Sequence, residues 1–204
     1  MGRYIGPTER ISRRIGINIF DKHRSAIEKA WRQTPPGMHG FRRARASGYR
    51  QRLVEKQKLK FYYGLRERQF LRYFAAAMRM EGNTGTNLLS LLERRLDNAV
   101  FKAGFAPTHR AARQMVVHGH IHVNGRKLDR PSYQLCIGDQ ITIAPREVSQ
   151  KLAKAALAEP RRDPGGSWLA IGDGGMSVSV TGYPIREDVY IPIDEQLVVE
   201  FCNR

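Results

Sequence analysis

The stretch that decides the fold covers residues 94–127 and reads RRLDNAVFKAGFAPTHRAARQMVVHGHIHVNGRK. Apolar residues spaced three and four apart predict one helix over residues 86–103. Thr108 is a suitable N-cap for a second, shorter helix over His109–Val117, because its hydroxyl accepts a free backbone N–H. The pattern then alternates as in a strand, and Asn124-Gly125 predicts a tight hairpin, since both residues tolerate a positive φ. The stretch therefore predicts two helices followed by a hairpin.

This unit gathers groups that bind anions. Arg110 and Arg113 lie three residues apart near a helix N-terminus, where free N–H groups favour negative charge. His118 and His120 flank the turn into the hairpin, and Asn124, Arg126 and Lys127 lie at its tip. Such a surface fits the backbone of a folded RNA better than individual base edges. Asp97 is expected to pair with a neighbouring arginine. The alternative to RNA binding is that these helices and the hairpin form only a structural packing unit.

The charge distribution supports a polyanionic partner. The chain has 204 residues and a net charge of +16, of which the first 80 residues, with 20 Lys/Arg and 5 Asp/Glu, contribute +15. Positive charges repel one another, so such a block disfavours a compact chain unless an anion lies beside it. A charged face that only contacts water would mix positive and negative residues. No run of 18 apolar residues predicts a membrane span, and no clean apolar face predicts an interfacial helix. Nucleic acid is therefore the expected partner.

The remaining chain completes an α+β fold. We predict a basic N-terminal arm over 1–48, irregular apart from a short helix near 25–32, and a helical domain over 49–93, on which 183–204 pack back. The inserted RNA-binding module covers 94–150, contains a small antiparallel sheet and includes short strands at 133–135 and 140–143. A helix and loop-rich connector covers 151–182. Further strands are predicted at 177–181 and, at a sheet edge, at 189–193.

Chemistry beyond binding is not indicated. The two cysteines, Cys136 and Cys202, are too few for a disulfide scaffold or a four-cysteine zinc site. No glycine-rich phosphate loop or serine elbow appears. An enzyme that carries this module, such as a pseudouridine synthase, would need a separate catalytic domain. We therefore predict no catalytic residues, no cofactor and no small-molecule substrate.

Several motifs resemble one family over nearly the whole chain. They are GRYIGP at 2–7, PPGMHG at 35–40, EKQK at 55–58, RQF at 68–70, GNTG at 82–85, ERRLDN at 93–98 and EQLVVEF at 195–201. In this order they resemble the bacterial and organellar ribosomal protein S4 family of the small subunit. The module alone is less specific, because RNA-modifying enzymes also carry it.

The resemblance implies a structural constituent of the small ribosomal subunit. Such a protein binds ribosomal RNA early, nucleates assembly of the five-prime region and contributes to translation and its accuracy. It lies near the channel through which messenger RNA enters, beside small-subunit proteins three and five. The expected location is the ribosome of the cytoplasm, with a plastid ribosome as an open alternative. A free RNA-binding translational repressor is the alternative function.

The predicted RNA contacts are those that the resemblance implies, together with Tyr49, Asn124 and Lys127, which are predicted from the residues themselves. They are Arg3, Arg13, Arg14, Arg42, Arg43, Arg45, Tyr49, Arg50, Lys56, Lys58, Arg66, Arg72, Arg110, Arg113, His118, His120, Asn124, Arg126 and Lys127. Many relatives hold zinc with cysteines in the arm, where this chain has Glu9 and Ser12. We therefore predict a zinc-free form with no metal site.

Overall fold

The computed structural model of the chain describes residues 4–20, 34–38, 40, 47–159, 165–172 and 174–203. These residues form two compact units, one from 1–85 with 191–204 and the other from 86–190. The described helices are α1 Thr8–Ile15, α2 Gly48–Tyr62, α3 Glu67–Met78, α4 Thr84–Glu93, α5 Leu96–Lys102, α6 His109–Val117, α7 Glu147–Ala158 and α8 Glu195–Cys202. The described strands are β1 Ile121–Val123, β2 Arg126–Lys127, β3 Gln140–Ile143, β4 Leu169–Ile171 and β5 Ser177–Val180. The predicted α+β class is confirmed, whereas the predicted domain boundaries stay predictions.

The first unit is helical. Ser47 caps α2 by accepting a hydrogen bond from the backbone N–H of Arg50 at 3.3 Å. Helix α8 packs against α2, with Val198 fully buried. Arg52 on α2 donates to Glu200 on α8 at 2.6 Å. The apolar tail is thus an amphipathic helix that covers one side of α2.

Helix α1 departs from the predicted irregular arm. Thr8, Ile11 and Ser12 are buried on one side of it, and Gly16 ends it in the left-handed conformation with φ 84°. An isoleucine is the one strongly apolar residue among these buried positions, so the helical period gives little signal in the sequence. The helix predicted near 25–32 lies outside the described residues.

The second unit surrounds one apolar core. Leu96, Val116, Ile121 and Ile141 are fully buried there, together with Val178. The described strands form one antiparallel sheet in the order β2-β1-β3-β5-β4. Helices α5 and α6 pack against each other beside it. This core fixes α6 and the β1–β2 hairpin, which carry most of the predicted contacts of the module.

The single helix predicted over 86–103 is wrong, because it breaks into α4 and α5. Arg95 is the N-cap of α5 and has extended backbone angles, φ −67° and ψ 138°. It forms an isolated antiparallel bridge with Gln134, and the N–H of Leu96 donates to the carbonyl of Tyr133 at 2.9 Å. The strand predicted at 133–135 is reduced to this bridge.

The segment after α7 also differs from prediction. Strand β4 was not predicted, and it pairs with β5 to extend the sheet, with Trp168 buried beside it. The strand predicted at 189–193 is absent from those described residues. Just before it, the carboxylate of Asp188 accepts the backbone N–H groups of Ser167 at 2.7 Å and Ile185 at 2.9 Å. These bonds stabilise a 3-10 turn at Arg186–Asp188, and residues 189–193 are neither helix nor strand.

Candidate nucleic-acid interface

Helix α6 presents one polar stripe to solvent. Ala112, Met115 and Val116 are buried on its inner side. Arg110, Gln114 and His118 follow one another at intervals of four residues and are all exposed. We call these three residues the α6 stripe. Thr108 caps the helix as predicted, accepting the N–H of Ala111 at 3.2 Å.

The hairpin brings a further cation to the end of this stripe. Gly119 has φ 72°, and a Cβ atom built on it would lie 3.0 Å from Nζ of Lys127. The lysine side chain therefore lies directly over the glycine that follows His118. Arg126 on the same short strand is exposed. Lys127 thus extends the α6 stripe, whereas Arg126, its neighbour on the strand, projects to the opposite face of the hairpin.

Asn124 shapes the hairpin with its side chain. Its φ is 51°, as a tight turn requires. Its Nδ2 donates to Asp139 at 2.8 Å, and its Oδ1 accepts the backbone N–H of Gln140 at 2.9 Å. Both ends of the amide are occupied, so we assign Asn124 a structural role and leave it out of the proposed contacts.

Asp97 holds α6 in place from below. Its carboxylate accepts from Nη2 of Arg95 at 2.7 Å and from Nη1 of Arg113 at 2.9 Å, which confirms the predicted pairing with an arginine. The Arg113 side chain is only 12% exposed. Arg110 and Arg113 therefore do not share an open face, and we assign Arg113 to the support of α6.

The side chain of His120 is also partly engaged by contacts within the protein. One ring nitrogen lies 2.8 Å from the hydroxyl of Ser149, and its ring centroid is 6.2 Å from that of His118. Burial, and then the charges of His118 and Arg146, hold the pKa of His120 below its ordinary value. The charged form of His120 is therefore disfavoured, and His118, which is exposed, is the better placed of the two for an external anion.

The lysines of α2 are placed differently from the prediction. Lys56 is buried, forms an ion pair with Glu67 and lies 4.8 Å from the centroid of the Phe201 ring. Lys58 is half-buried and pairs with Glu55 on its own helix. Because neighbouring carboxylates neutralise these charges, both lysines leave the proposed set of RNA contacts.

Arginines occupy the open side of α3. Phe70, Phe74 and Ala77 are buried on the inner side of this helix. The exposed side carries Arg72, and Arg66, which directly precedes the helix, is also exposed. Both are predicted contacts. Two more exposed arginines, Arg68 and Arg79, lie on the same helix or directly after it and were missing from the predicted contacts. Their helical spacing is a signal that the sequence already contained.

The other predicted contacts of this unit fall into three groups. Arg14 and Arg50 are exposed, and Tyr49 is exposed with its ring centroid 5.5 Å from that of Phe201. Arg13 is half-buried and donates from Nε to the carbonyl of Thr34 at 3.1 Å. The contacts predicted at Arg3, Arg42, Arg43 and Arg45 lie outside the described residues.

Two other kinds of site are absent from the described part of the chain. It contains no group of three or more His, Cys, Asp or Glu side chains that are placed to hold a metal ion. None of its helices is long and apolar enough to span a membrane.

Comparison with known proteins identifies the family. Residues 3–93 match the model of the ribosomal protein S4/S9 N-terminal domain, and residues 94–141 match that of the S4 domain. The chain is 46% identical to small ribosomal subunit protein uS4 of Roseiflexus castenholzii and 45% identical to that of Thermus thermophilus, over the full length of both partners. It is 48% identical to the same protein of Prochlorococcus marinus, over the whole chain and 99% of the relative. The chain belongs to the ribosomal protein S4 family, the uS4 proteins of the small ribosomal subunit.

Proposed function

We propose that this chain binds the ribosomal RNA of the small subunit as a structural constituent of that particle. The observation that carries the proposal is the basic surface formed by the α6 stripe with Lys127, beside which Arg126 is exposed on the other face of the hairpin. It combines arginine, lysine and imidazole donors on a rigid helix and hairpin. Phosphate contacts of this kind position a protein on RNA through backbone shape.

The first unit supplies a second basic surface. We propose that Arg66, Arg68, Arg72 and Arg79, around the open side of α3, contact phosphates as well. Guanidinium groups bind phosphate in a bidentate manner, which a lysine does not reproduce. The large positive charge of residues 1–80 adds long-range attraction to the polyanion.

Family membership supports a more detailed proposal. We propose that the chain binds early in assembly, nucleates the five-prime region and contributes to accurate translation. Its proposed neighbours are small-subunit proteins three and five and messenger RNA near the channel through which it enters. The proposed location is the ribosome, in the cytoplasm or in a plastid. Sedimentation distinguishes this role from free repression, because a constituent cosediments with small subunits at about one copy each.

The test is RNA binding by the full chain and two charge-reversal variants. Arg110→Glu places a repelling charge in the α6 stripe, whereas Lys151→Glu reverses a highly exposed cation on α7 that pairs with Glu147. We expect Arg110→Glu to weaken binding to small-subunit ribosomal RNA at least tenfold and Lys151→Glu to change it little. Both should keep the wild-type circular dichroism spectrum. Equal affinities of the two variants would remove the α6 stripe from the interface.

Salt dependence tests the electrostatic part independently. If about eight phosphates are neutralised, log K should fall with log salt with a slope of roughly −7. A slope near −1 would show that phosphate neutralisation contributes little to the affinity.

A further inference from the structure

A fixed cation–aromatic pair lies on the surface of the second unit, on elements other than α6 and the hairpin. The guanidinium carbon of Arg94 lies 4.5 Å from the centroid of the Tyr183 ring. Nε of Arg94 donates to the carbonyl of Leu135 at 2.8 Å, and the backbone N–H of Leu135 donates to the carbonyl of Arg94 at 3.0 Å. Side chain and main chain of Arg94 are therefore both anchored, and its guanidinium is held against the ring.

The loop that carries the tyrosine is anchored on both sides of it. Two residues earlier, Thr181 donates to the carbonyl of Trp168 from its backbone N–H at 2.9 Å and from its hydroxyl at 3.1 Å. Two residues later, the N–H of Ile185 donates to the carboxylate of Asp188 at 2.9 Å. The ring therefore projects from a loop that is fixed on both sides, so a ligand that stacks on it orders little new chain.

The pair is open to a ligand and carries an unneutralised charge. Tyr183 is 54% exposed although it contacts Arg94. Among the described residues Arg94 has no carboxylate partner; besides Leu135 and Tyr183 its guanidinium contacts the thiol of Cys136, 4.0 Å away. A flat aromatic ring beside a guanidinium with no carboxylate partner among the described residues matches a nucleotide, because the base stacks on the ring and the phosphate meets the cation.

We propose that Tyr183 and Arg94 form a stacking site for one unpaired base of the RNA, an inference that rests on the proposed function. The α6 stripe and the arginines around α3 are proposed to contact the phosphate backbone, whereas this pair takes a base out of a loop or bulge. Stacking needs no particular base identity, so the site selects unpaired structure rather than sequence.

The experiment measures binding and base reactivity with the full chain and purified small-subunit ribosomal RNA. Tyr183→Ala removes the ring, and Tyr183→Phe retains it. Tyr190→Ala is the matched control, since Tyr190 is 53% exposed in the same unit. We expect Tyr183→Ala to weaken binding about ten- to a hundredfold and to make one unpaired base reactive to chemical probes. Tyr183→Phe and Tyr190→Ala should behave as wild type.

The outcomes separate this inference from the proposed function. If Tyr183→Ala binds as wild type while Arg110→Glu binds weakly, the stacking site is refuted and RNA binding through α6 stands. A loss of affinity without a newly reactive base would also refute stacking, as would an equal loss with Tyr190→Ala. If the wild-type chain itself does not bind the RNA, the proposed function fails first.

Discussion

Asp97→Asn is the most informative single change, because one carboxylate serves two arginines. Its Oδ1 accepts from Nε of Arg95 at 3.0 Å and its Oδ2 accepts from Nη2 at 2.7 Å, which makes that pair bidentate. Arg95 is 0% exposed and Asp97 only 6% exposed. Asparagine has nearly the same shape but no charge, so the substitution removes the shared countercharge and leaves the packing volume unchanged.

The expected cost follows from burial. Removing one partner of a buried ion pair destabilises a protein by about 3–5 kcal/mol, because the remaining charge stays in a low-dielectric site. For a domain of about 100 residues, each kcal/mol lowers Tm by roughly 4 °C. We therefore expect Asp97→Asn to lower the melting temperature of the second unit by about 12–20 °C.

The assay is thermal and urea unfolding followed by circular dichroism, with Asp129→Asn as the control. Asp129 is an exposed aspartate in the same unit, so its change should cost less than about 0.5 kcal/mol. Arg113→Met combined with Asp97→Asn should be less destabilising than the sum of the two single changes, since the two side chains contact each other and both single changes break the same ion pair. The reasoning is refuted if Asp97→Asn unfolds within about 0.5 kcal/mol of wild type.

Two further predictions concern pH. Burial raises the pKa of Glu67, but the hydrogen bonds and charges of Lys56 and Lys60 outweigh it and leave the pKa below its ordinary value. This ion pair should therefore stabilise the first unit at pH values above the ordinary pKa of a glutamate, and the stabilisation should be lost as the pH falls through the lowered pKa. Lys56→Gln should reduce this acid sensitivity in unfolding experiments at pH 3–6. An unchanged pH profile would contradict the assignment. The pKa of His120 is lowered by burial first and by the charge of His118 next, so His118→Gln should raise it in an NMR titration. The pKa of His120 is lower in the folded than in the unfolded chain. Its contribution to stability is therefore present at pH values above the unfolded pKa and is lost as the pH falls through the folded pKa. A His120 pKa that does not move in His118→Gln would exclude charge coupling between the rings.

Features encoded by local spacing were predictable from the sequence. Helix α6 follows from its threonine cap and apolar period, and the β1–β2 hairpin follows from Asn124-Gly125. Both depend on residues within a few positions of each other. The predicted pairing of Asp97 was also local, since Arg95 is its neighbour but one in the chain.

Features set by distant partners were not predictable. The apolar period runs unbroken through Arg94 and Arg95, yet the helix breaks there because Arg95 bridges to Gln134 about forty residues later. Lys56 lies in a basic stretch that resembles a phosphate-binding face, but its partner Glu67 belongs to the next helix. Spacing within one element carries no information about such pairs. The prediction from the sequence therefore counted more cations as exposed RNA contacts than the structure exposes.

The same pairs explain why arginine rather than lysine faces solvent in the described helices of the first unit. Residues 1–80 contain only five acidic residues. On α2 and α3, Glu55 pairs with Lys58, and Glu67 pairs with Lys56 and Lys60. The scarce carboxylates therefore neutralise lysines that are half-buried or buried, and the exposed side of α3 keeps its arginines. Guanidinium groups exposed to solvent suit bidentate phosphate binding. The pairing of lysines with carboxylates therefore lowers the number of exposed cations but leaves mainly arginines to bind a polyanion.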